Sequence, residues 1–412
     1  MEKRVVITGI GAISPLGETA VDLWEGIKNS KCGIDDIALI DSSTFKTKVA
    51  AEVKNYDSSK YFDVKAAKRL DRVSQFAMIA AREAMKDSGI TKENTNFENV
   101  GIYIASGIGG FSTIENQCNT CNEKGNNRVS PMFIPMGIIN MPAGNVAIDL
   151  GLKGESIALV TACASSTNSI GEAYRAIKHG YEEVIFAGGT EAAITKTAIA
   201  GFENMKALSS ATDKNRASIP FDKERTGFVM GEGAGIVVLE ELEHAKSRGA
   251  KIYAEVVGYG STSDAYHITS PEPEGLGGAR AMERAIKDAR LNPEDVDYIN
   301  AHGTSTHLND SIETKAIKKV FGEHSNKLKV SSTKGNTGHL LGAAGVIEAI
   351  ISAKAIDDGL VPPTINYKEK DEECDLDIVP NVPLKQALKV VMSNSLGFGG
   401  HNASIVLKKF EK

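Results

Sequence analysis

Residues 157–167 read IALVTACASST, a short apolar run that leads into small and hydroxyl-bearing residues. The run predicts a buried strand over Ser156–Val160, and the residues after it predict a helix over Ser166–His179. Cys163 stands at the changeover. Because a helix N-terminus carries partial positive charge and free N–H groups, a thiolate or an oxyanion would be stabilised there. By position alone, Cys163 is either a nucleophile or a small buried hydrophobic residue.

Strands and helices alternate on both sides of this stretch, which predicts an α/β architecture. The other predicted strands are Lys3–Thr8, Val100–Ala105, Glu183–Ala187, Gly235–Leu239, Ala254–Gly258, Tyr298–Asn300, Lys389–Ser393 and Ala403–Lys408. The other predicted helices are Ala66–Ser88, Gly277–Ala289, Ser311–Phe321 and Val346–Asp357. The polar segment Asn116–Val129 is predicted to be a surface excursion.

Two weak internal echoes suggest that the chain is a duplication. Residues 84–90 (AMKDSGI) resemble 285–291 (AIKDARL), and 176–180 resemble 355–359. Both pairs stand at predicted helix ends, although any two amphipathic helices can share such a pattern. A chain of 412 residues is also longer than a single core usually sustains. We therefore predict two halves, 1–250 and 251–412.

Composition excludes several classes of protein. The net charge of −6 gives no general attraction to nucleic acid or to an acidic membrane surface. No run approaches the ~18 consecutive apolar residues of a membrane span, so we expect no membrane insertion. The first residues run directly into a strand without a signal-peptide core, and five cysteines are too few for a disulfide framework. We expect a cytoplasmic protein.

The N-terminal glycines raise one alternative, a dinucleotide-binding turn. The segment 5–17 contains Gly9 and Gly11, but the third glycine position of the fingerprint is Ser14, and Pro15 follows it. The glycine that permits close helix–strand packing is therefore missing. A strand that ends in a glycine turn is the favoured interpretation, and a nicotinamide oxidoreductase is disfavoured.

Two histidines follow predicted strand ends, which is where α/β sheets build sites. His302 begins the segment HGTST after one strand, and His339 closes the segment STKGNTGH, which also holds Lys334. Either histidine could be structural, but two of them beside glycine and threonine favour a shared site. The segment SNSLGFGGHN at 393–402 places Phe398 among three glycines, so the backbone must bend closely there.

Four motifs together resemble the β-ketoacyl-[acyl-carrier-protein] synthases: TACASS at 161–166, NAHGTST at 300–306, KGNTGH at 334–339 and NSLGFGGHN at 394–402. The resemblance covers nearly the whole chain. It implies a thiolase-like fold, with two duplicated α/β halves in five αβαβα layers, and a homodimer. It also implies a decarboxylative Claisen condensation of an acyl-enzyme with malonyl-[acyl-carrier-protein], which lengthens a fatty acyl chain by two carbons.

Within that family, the residues around the cysteine separate the reactions. Thiolases have a second cysteine in the C-terminal glycine-rich motif, where this chain has Phe398, and initiating synthases have asparagine in place of His339. An elongating synthase of type II is favoured, with a type I elongating synthase or a polyketide ketosynthase as the alternative. A silent chain-length subunit would lack the nucleophile. Leu396 and His307 depart from the family's usual phenylalanine and proline.

The resemblance further implies roles for single residues. Cys163 is the nucleophile, and its main-chain N–H forms the oxyanion hole with that of Phe398, which also gates the acyl pocket. His302 and His339 bind the malonyl carbonyl, and Lys334 orients His339. The other implied substrate-binding residues are Thr304, Thr306, Ile108, Phe133, Ile134, Phe202 and His267, although core packing explains the apolar ones equally well.

No metal or redox cofactor enters the implied reaction. The resemblance does imply a structural monovalent cation near Asn300, Glu348, Ser393 and Asn394.

A local basic surface would reconcile an acidic carrier-protein partner with a net charge of −6. Candidate residues lie on one face of a predicted helix and beyond it: Lys65, Lys68, Arg69 and Arg72, with Arg128 and Lys206. A solvated helix face is the alternative interpretation, because runs of surface charge are common. We predict that acyl- and malonyl-[acyl-carrier-protein] dock here.

Overall fold

The computed structural model describes residues 2–411. Its α-helices are α1 (Ala20–Lys28), α2 (Val64–Ala67), α3 (Arg72–Ser88), α4 (Phe111–Lys124), α5 (Phe133–Gly137), α6 (Met141–Leu150), α7 (Ser165–Lys178), α8 (Lys196–Asn204), α9 (Lys214–Ala217), α10 (Leu242–Ser247), α11 (Leu276–Ala289), α12 (His307–Phe321), α13 (Lys334–Thr337) and α14 (Ala344–Asp358). Among these described residues, no helix has both the length and the apolar character needed to cross a membrane.

The strands are β1 (Val5–Ile13), β2 (Asp35–Asp36), β3 (Val49–Ala50), β4 (Val100–Ala105), β5 (Ser156–Ile157), β6 (Val184–Glu191), β7 (Gly233–Glu241), β8 (Ala254–Ser263), β9 (Tyr298–Asn300), β10 (Lys329–Ser331), β11 (Leu360–Val361), β12 (Leu384–Lys385), β13 (Val390–Gly397) and β14 (His401–Lys408). Ten of them form one hydrogen-bonded sheet, whereas β2 with β3 and β11 with β12 form two small ribbons.

The ten-stranded sheet consists of two halves with the same topology. The strand order is β5-β4-β6-β7-β1 in one half and β10-β9-β13-β14-β8 in the other. In each half the first three strands of that order are parallel, and the later pairings are antiparallel. The halves meet where residues 5–7 pair antiparallel with residues 254–256. The chain therefore has the duplicated architecture that its sequence echoes suggested.

Helices cover and separate the two halves of the sheet. α3 packs on β1 and β7, and α11 packs in the same way on β8 and β14. α7 and α14 pack against each other and contact strands of both halves. Nearly every residue of α14 is buried, as expected for a helix that lies between the two halves of the sheet. The order of layers is helix, sheet, helix, sheet, helix.

Glycines let each outer helix lie directly on its sheet. A Cβ on Gly11 of β1 would stand 2.1 Å from the Ala80 carbonyl oxygen of α3, and a Cβ on Gly260 of β8 would stand 2.0 Å from the Ala281 carbonyl oxygen of α11. No side chain fits in either place. The N-terminal glycines therefore lie inside β1, which runs to Ile13, and do not form the turn that the sequence analysis favoured.

The first sequence echo has a structural counterpart at the ends of α3 and α11. Asp87 accepts a hydrogen bond from Ile10 N at 2.9 Å, and Asp288 accepts one from Tyr259 N at 3.1 Å. The second echo lies at the C-terminal ends of α7 and α14, which occupy equivalent places in the two halves. The join near residue 250 falls between α10 and β8 and stays a prediction.

Three predicted segments differ from the structure. The strand predicted over Ser156–Val160 is only Ser156–Ile157, because β5 is an edge strand that the chain soon leaves, and Val160 is 49% exposed. The helix predicted from Ala66 is two helices, since Asp71 caps α3 by accepting from Val73 N. The segment predicted as a surface excursion lies at the surface but is mostly helical, within α4.

Candidate active site

Cys163 stands in a sharply bent turn between β5 and α7. It is the middle residue of the 3₁₀ turn Ala162–Ala164, directly before α7 begins. Ala162 has a φ of +51°, a left-handed conformation that is uncommon for alanine. Ser165 Oγ accepts from Thr161 N at 2.9 Å and donates to Ala162 O at 2.6 Å, which holds the bend. The bend presents the sulfur to a cavity at the N-terminal end of α7.

Two imidazole rings share this cavity with the sulfur. The sulfur of Cys163 and one ring nitrogen from each of His302 and His339 all lie within 4.8 Å of one another. His339 Nε2 is 3.1 Å from Cys163 Sγ. The two rings are nearly perpendicular, with centroids 5.3 Å apart and planes at 85°. The structure thus brings together the three residues that the sequence analysis assigned to one site.

The surroundings of the sulfur oppose its ionisation. Burial raises the pKa of the Cys163 thiol to about 12, the Lys334 charge counteracts this, and the buried Glu191 adds to it. Main-chain N–H groups of Phe398 and Cys163 face the sulfur and lower its pKa. Because the thiol is protonated near neutral pH, its proton must move to a base during attack, and His339 Nε2 is within reach.

Both histidines are neutral near neutral pH. Burial, then the Lys334 charge and the His339 ring, hold the pKa of His302 well below its usual range. Burial and the Lys334 charge do the same to the pKa of His339. A neutral imidazole has one N–H and one lone pair. Since the Lys334 ammonium only donates and lies 3.5 Å from His302 Nδ1, we assign the N–H of His302 to Nε2.

Lys334 contacts His302, whereas the sequence analysis expected it to orient His339. Its buried ammonium donates to the carbonyl oxygen of His302 at 2.5 Å and pairs with Glu348. The physical reason is that Lys334 opens the short helix α13, which holds it away from His339 beyond the other end of that helix. Lys334 acts on His339 through its charge instead.

A buried glutamate that the sequence analysis missed supports His302. Glu313 accepts from the main-chain N–H groups of His302 and Gly303, both at 2.8 Å, and burial raises its pKa to about 7. A signal for it exists in the sequence. Glu313 precedes Ala316 and Ile317 by three and four residues on a predicted helix, which places a carboxylate on the apolar face.

The cavity beside Cys163 has a volume of about 500 Å³. It is lined by five of the residues that the sequence analysis assigned to the substrate or to the gate: Ile108, Phe202, Thr304, Thr306 and Phe398. The hydroxyls of the two threonines are 2.9 Å apart. The rings of Phe202 and Phe398 are tilted with centroids 6.4 Å apart. The site therefore has a polar wall and an aromatic wall.

Three other predicted substrate residues lie elsewhere. His267 is exposed, and its Nδ1 accepts from Thr269 N and Ser270 N at 3.1 Å, so it shapes a loop whose next residues line the cavity. Phe133 and Ile134 line a separate apolar groove, which they share with Ile108. The structure of the single chain does not bring these three residues to Cys163, because α5 lies along the outer side of the wall that contains Ile108.

Comparison with known proteins identifies the family. Residues 2–245 match the family model described as "Beta-ketoacyl synthase, N-terminal domain", and residues 253–368 match "Beta-ketoacyl synthase, C-terminal domain". The chain belongs to the β-ketoacyl synthase family. It is 54% identical over 409 residues to "3-oxoacyl-[acyl-carrier-protein] synthase 2" of Staphylococcus aureus strain N315, which covers 99% of each chain. This β-ketoacyl synthase is accordingly a condensing enzyme of the acyltransferase class.

Solved structures of related synthases share the whole architecture. The structure titled "The ishigamide ketosynthase/chain length factor" superposes with a TM-score of 0.94 at 33% identity, over 100% of both chains. A second match is titled as a type II PKS acyl-carrier protein in complex with its ketosynthase bound to the hexaketide. It superposes with a TM-score of 0.93 at 34% identity, again over 100% of both chains. The thiolase-like fold expected from the sequence is confirmed.

The predicted carrier-docking residues of this β-ketoacyl synthase are exposed: Lys65, Lys68, Arg69, Arg128 and Lys206. Lys206 also lines the cavity that holds Cys163. Arg72 does not belong with them, because it forms an ion pair with the buried Glu232 at 2.6 Å. The expected continuous helix face is broken, since α2 ends at Ala67 and α3 begins at Arg72.

Three of the four residues expected at a cation have buried oxygens that suit one. Within residues 2–411, Asn300 Oδ1, Ser393 Oγ and Glu348 Oε2 are buried without a hydrogen-bond partner. Asn300 and Ser393 lie opposite each other on β9 and β13. The fourth residue, Asn394, already accepts from Ser404 Oγ at 2.8 Å. Buried, unpartnered oxygens of this kind fit a hard cation.

Proposed function

We propose that this protein lengthens acyl chains by two carbons, through a decarboxylative condensation of an acyl-enzyme on Cys163 with malonyl-[acyl-carrier-protein]. The observation that carries the proposal is the 3.1 Å approach of His339 Nε2 to a sulfur faced by two main-chain N–H groups. The second histidine beside it supports elongation rather than initiation. The relative from Staphylococcus aureus, which is named 3-oxoacyl-[acyl-carrier-protein] synthase 2, supports the same reaction.

In the first half-reaction Cys163 attacks the thioester carbonyl of an acylated carrier. The thiol proton passes to His339 Nε2 as the sulfur–carbon bond forms. The developing oxyanion accepts from the N–H groups of Cys163 and Phe398. The bond to the carrier sulfur then breaks, and the carrier leaves as a thiol with the proton that His339 held. His339 returns to its neutral form.

In the second half-reaction the malonyl thioester carbonyl accepts hydrogen bonds from the N–H groups at His302 Nε2 and His339 Nε2. The bond to the carboxylate breaks, CO₂ leaves, and its electron pair forms an enolate whose oxygen both donors stabilise. The enolate carbon attacks the acyl-Cys163 carbonyl, and the sulfur leaves as a thiolate that takes up a proton from solvent. His339 Nδ1 has no hydrogen-bond partner within residues 2–411, so His339 can serve in both half-reactions by changing tautomer.

Supporting groups complete the site. Burial and the Lys334 charge keep both rings neutral. A monovalent cation would be held by the oxygens of Asn300, Ser393 and Glu348, where it would support the backbone at β9 and β13. The reaction itself uses only side chains and main-chain groups of the protein.

Acyl- and malonyl-[acyl-carrier-protein] are the proposed partners. The five exposed basic residues, which include Lys206 at the cavity, carry the sign of charge that an acidic carrier needs. A ketosynthase of the same architecture has been captured with its acyl-carrier protein. We also propose a cytoplasmic location for this protein.

A homodimer is the proposed assembly. The apolar groove of Phe133 and Ile134 includes Ile138 and Val160, and Ile134 is 59% exposed. Contiguous exposed apolar side chains of this kind mark protein–protein contacts. A second copy of the chain would cover the groove.

Acylation measured by intact mass tests the proposed reaction. Incubation with acyl-[acyl-carrier-protein] should add one acyl group to the protein, and Cys163→Ala should abolish the addition. Cys374→Ala, which removes a buried cysteine outside the site, is the control and should be acylated normally. Addition of malonyl-[acyl-carrier-protein] should then discharge the acyl group as a 3-oxoacyl product. Acylation that persists in Cys163→Ala would refute the assignment of the nucleophile.

A further inference from the structure

Glu191 is a fully buried carboxylate that the mechanism above does not use. It is the last residue of β6, and its exposed fraction is 0%. Its Oε1 accepts from Ser106 Oγ at 2.9 Å and from Ile108 N at 3.3 Å. Its Oε2 accepts from Gly107 N at 2.8 Å and from Gly342 N at 2.9 Å. One side chain therefore receives four donors from two separate segments of the chain.

The two segments that Glu191 joins are both walls of the cavity beside Cys163. Gly107 and Ile108 form one part of the lining, and Leu341, which precedes Gly342, forms another. The backbone of the two segments is in direct contact, because a Cβ on Gly342 would lie 2.3 Å from Gly107 N and 2.8 Å from Glu191 Oε2. The carboxylate thus fixes the position of Ile108 relative to the turn that follows His339.

A carboxylate is the side chain that these four donors require. An ionised carboxyl group has about four lone-pair sites, whereas an amide presents one oxygen and one NH₂ group that can only donate. With glutamine at this position, the side-chain NH₂ would face hydrogen-bond donors of one segment, and neither group could accept from the other. A buried amide N–H without an acceptor costs free energy, so the two segments would separate or shift.

We propose that Glu191 is a positioning residue that sets which acyl chains the cavity accepts, by holding the Ile108 wall against the Leu341 turn. The proposal rests on the proposed acyl transfer to Cys163. Ile108 also lines the apolar groove on its other side, so a shift of its backbone changes the depth of the space available to an acyl chain. The reacting sulfur and the two histidines do not contact Glu191 directly.

The proposal is tested by measuring the rate of Cys163 acylation by intact mass. The substrates are acyl-[acyl-carrier-protein]s that carry saturated chains of different lengths. For Glu191→Gln, the ratio of rates between the best and the shortest chain should change by about tenfold or more, since pocket contacts of one methylene discriminate by that order. Iodoacetamide is too small to sense the pocket, so it should still alkylate Cys163 in Glu191→Gln. The pH dependence of that alkylation should shift to lower pH, because Glu191 raises the pKa of the thiol.

Two further variants keep the test decisive. Glu240→Gln is the matched control, because Glu240 lies on β7, is equally buried and pairs with Arg248. This variant should lower stability and leave the chain-length ratio unchanged. Ser106→Ala removes one donor to Glu191 and should shift the ratio in the same direction as Glu191→Gln, even if the latter folds poorly. Wild-type protein that is not acylated at all would instead contradict the proposed function. Acylated wild type with unchanged ratios in both variants would overturn the role of Glu191.

Discussion

At the scale of single residues, one buried lysine acts together with burial on the protonation of the site. The Lys334 ammonium lowers the pKa of both histidines and opposes the rise in the pKa of Cys163. Its own charge is balanced by Glu348. A buried charge without such a partner would cost several kcal/mol, so about 3–5 kcal/mol of stability depends on keeping the pair intact. The same pair therefore serves both the fold and the chemistry.

The division of labour between the histidines predicts the behaviour of His302→Ala. Acyl transfer to Cys163 should persist, because His339 is the ring that contacts the sulfur. Decarboxylation of malonyl-[acyl-carrier-protein] should fall by about 10²–10³, the usual effect of removing one oxyanion donor. Release of labelled CO₂ and intact mass measure the two steps separately. His324→Ala, outside the site, is the control, and loss of acylation in His302→Ala would contradict the assignment.

The neutral histidines also predict how stability depends on pH. Their folded pKa values lie below the ordinary value of 6.5, so at pH below that value the unfolded chain binds more protons than the folded protein. The free energy of unfolding should therefore fall as the pH is lowered through this range, by up to about 1.4 kcal/mol per pH unit for each ring. Urea unfolding at a series of pH values measures this. The double variant His302→Gln, His339→Gln should lose that part of the slope; an unchanged slope would show that the rings are not buried in neutral form.

At the scale of elements, the equivalent contacts of α3 on β1 and of α11 on β8 predict equivalent costs. Gly11→Ala and Gly260→Ala both force a methyl group into a helix carbonyl. Each should lower the free energy of unfolding by about 1–3 kcal/mol, the usual cost of overpacking. Gly201→Ala on α8 is the control, because a Cβ there meets nothing within 4 Å. Thermal unfolding that leaves either glycine variant as stable as the wild type would contradict the close packing.

The segment between α2 and α3 predicts the effect of charge reversal on carrier docking. Lys68 and Arg69 are exposed in the irregular turn that Asp71 creates by capping α3. Lys68→Glu with Arg69→Glu should raise the Michaelis constant for acyl-[acyl-carrier-protein] about tenfold or more, mainly through a slower association rate that depends on salt. Turnover of a short acyl thioester without carrier should not change.

The matched control for docking is Lys287→Glu with Lys319→Glu, which makes the same change in net charge at exposed positions on α11 and α12. Its Michaelis constant should stay near that of the wild type. Equal effects of the two double variants would mean that net charge, and not this surface, steers the carrier.

At the scale of the whole molecule, the exposed groove beside Ile108 predicts association. Ile134→Asp places a charge in an apolar contact and should convert a dimer to a monomer, which sedimentation velocity would detect. Val382→Asp, also highly exposed but outside the groove, is the control. Because Ile108 is shared between the groove and the cavity, the monomer should also have a changed chain-length profile. A wild-type protein that sediments as a monomer would refute the dimer.

Much of this molecule can be predicted from its sequence, since several features are local. The alternation of apolar runs and helices predicts the α/β class. The first echo predicts the equivalent ends of α3 and α11, because Asp87 accepts a hydrogen bond from β1 and Asp288 accepts one from β8. The family motifs predict that Cys163, His302 and His339 meet. Each stands at the end of a strand or before a helix, and those positions are encoded by neighbouring residues.

Only the tertiary structure decides which groups meet across the fold. Lys334 contacts His302 and not His339, Arg72 pairs with Glu232, and Glu191 joins two cavity walls, because these contacts depend on how distant segments pack. The sequence leaves Phe133 and Ile134 as either substrate-binding or core residues, yet α5 places them in an open groove. Periodicity specifies which side of an element is apolar, whereas burial and charge pairing depend on what lies opposite that side.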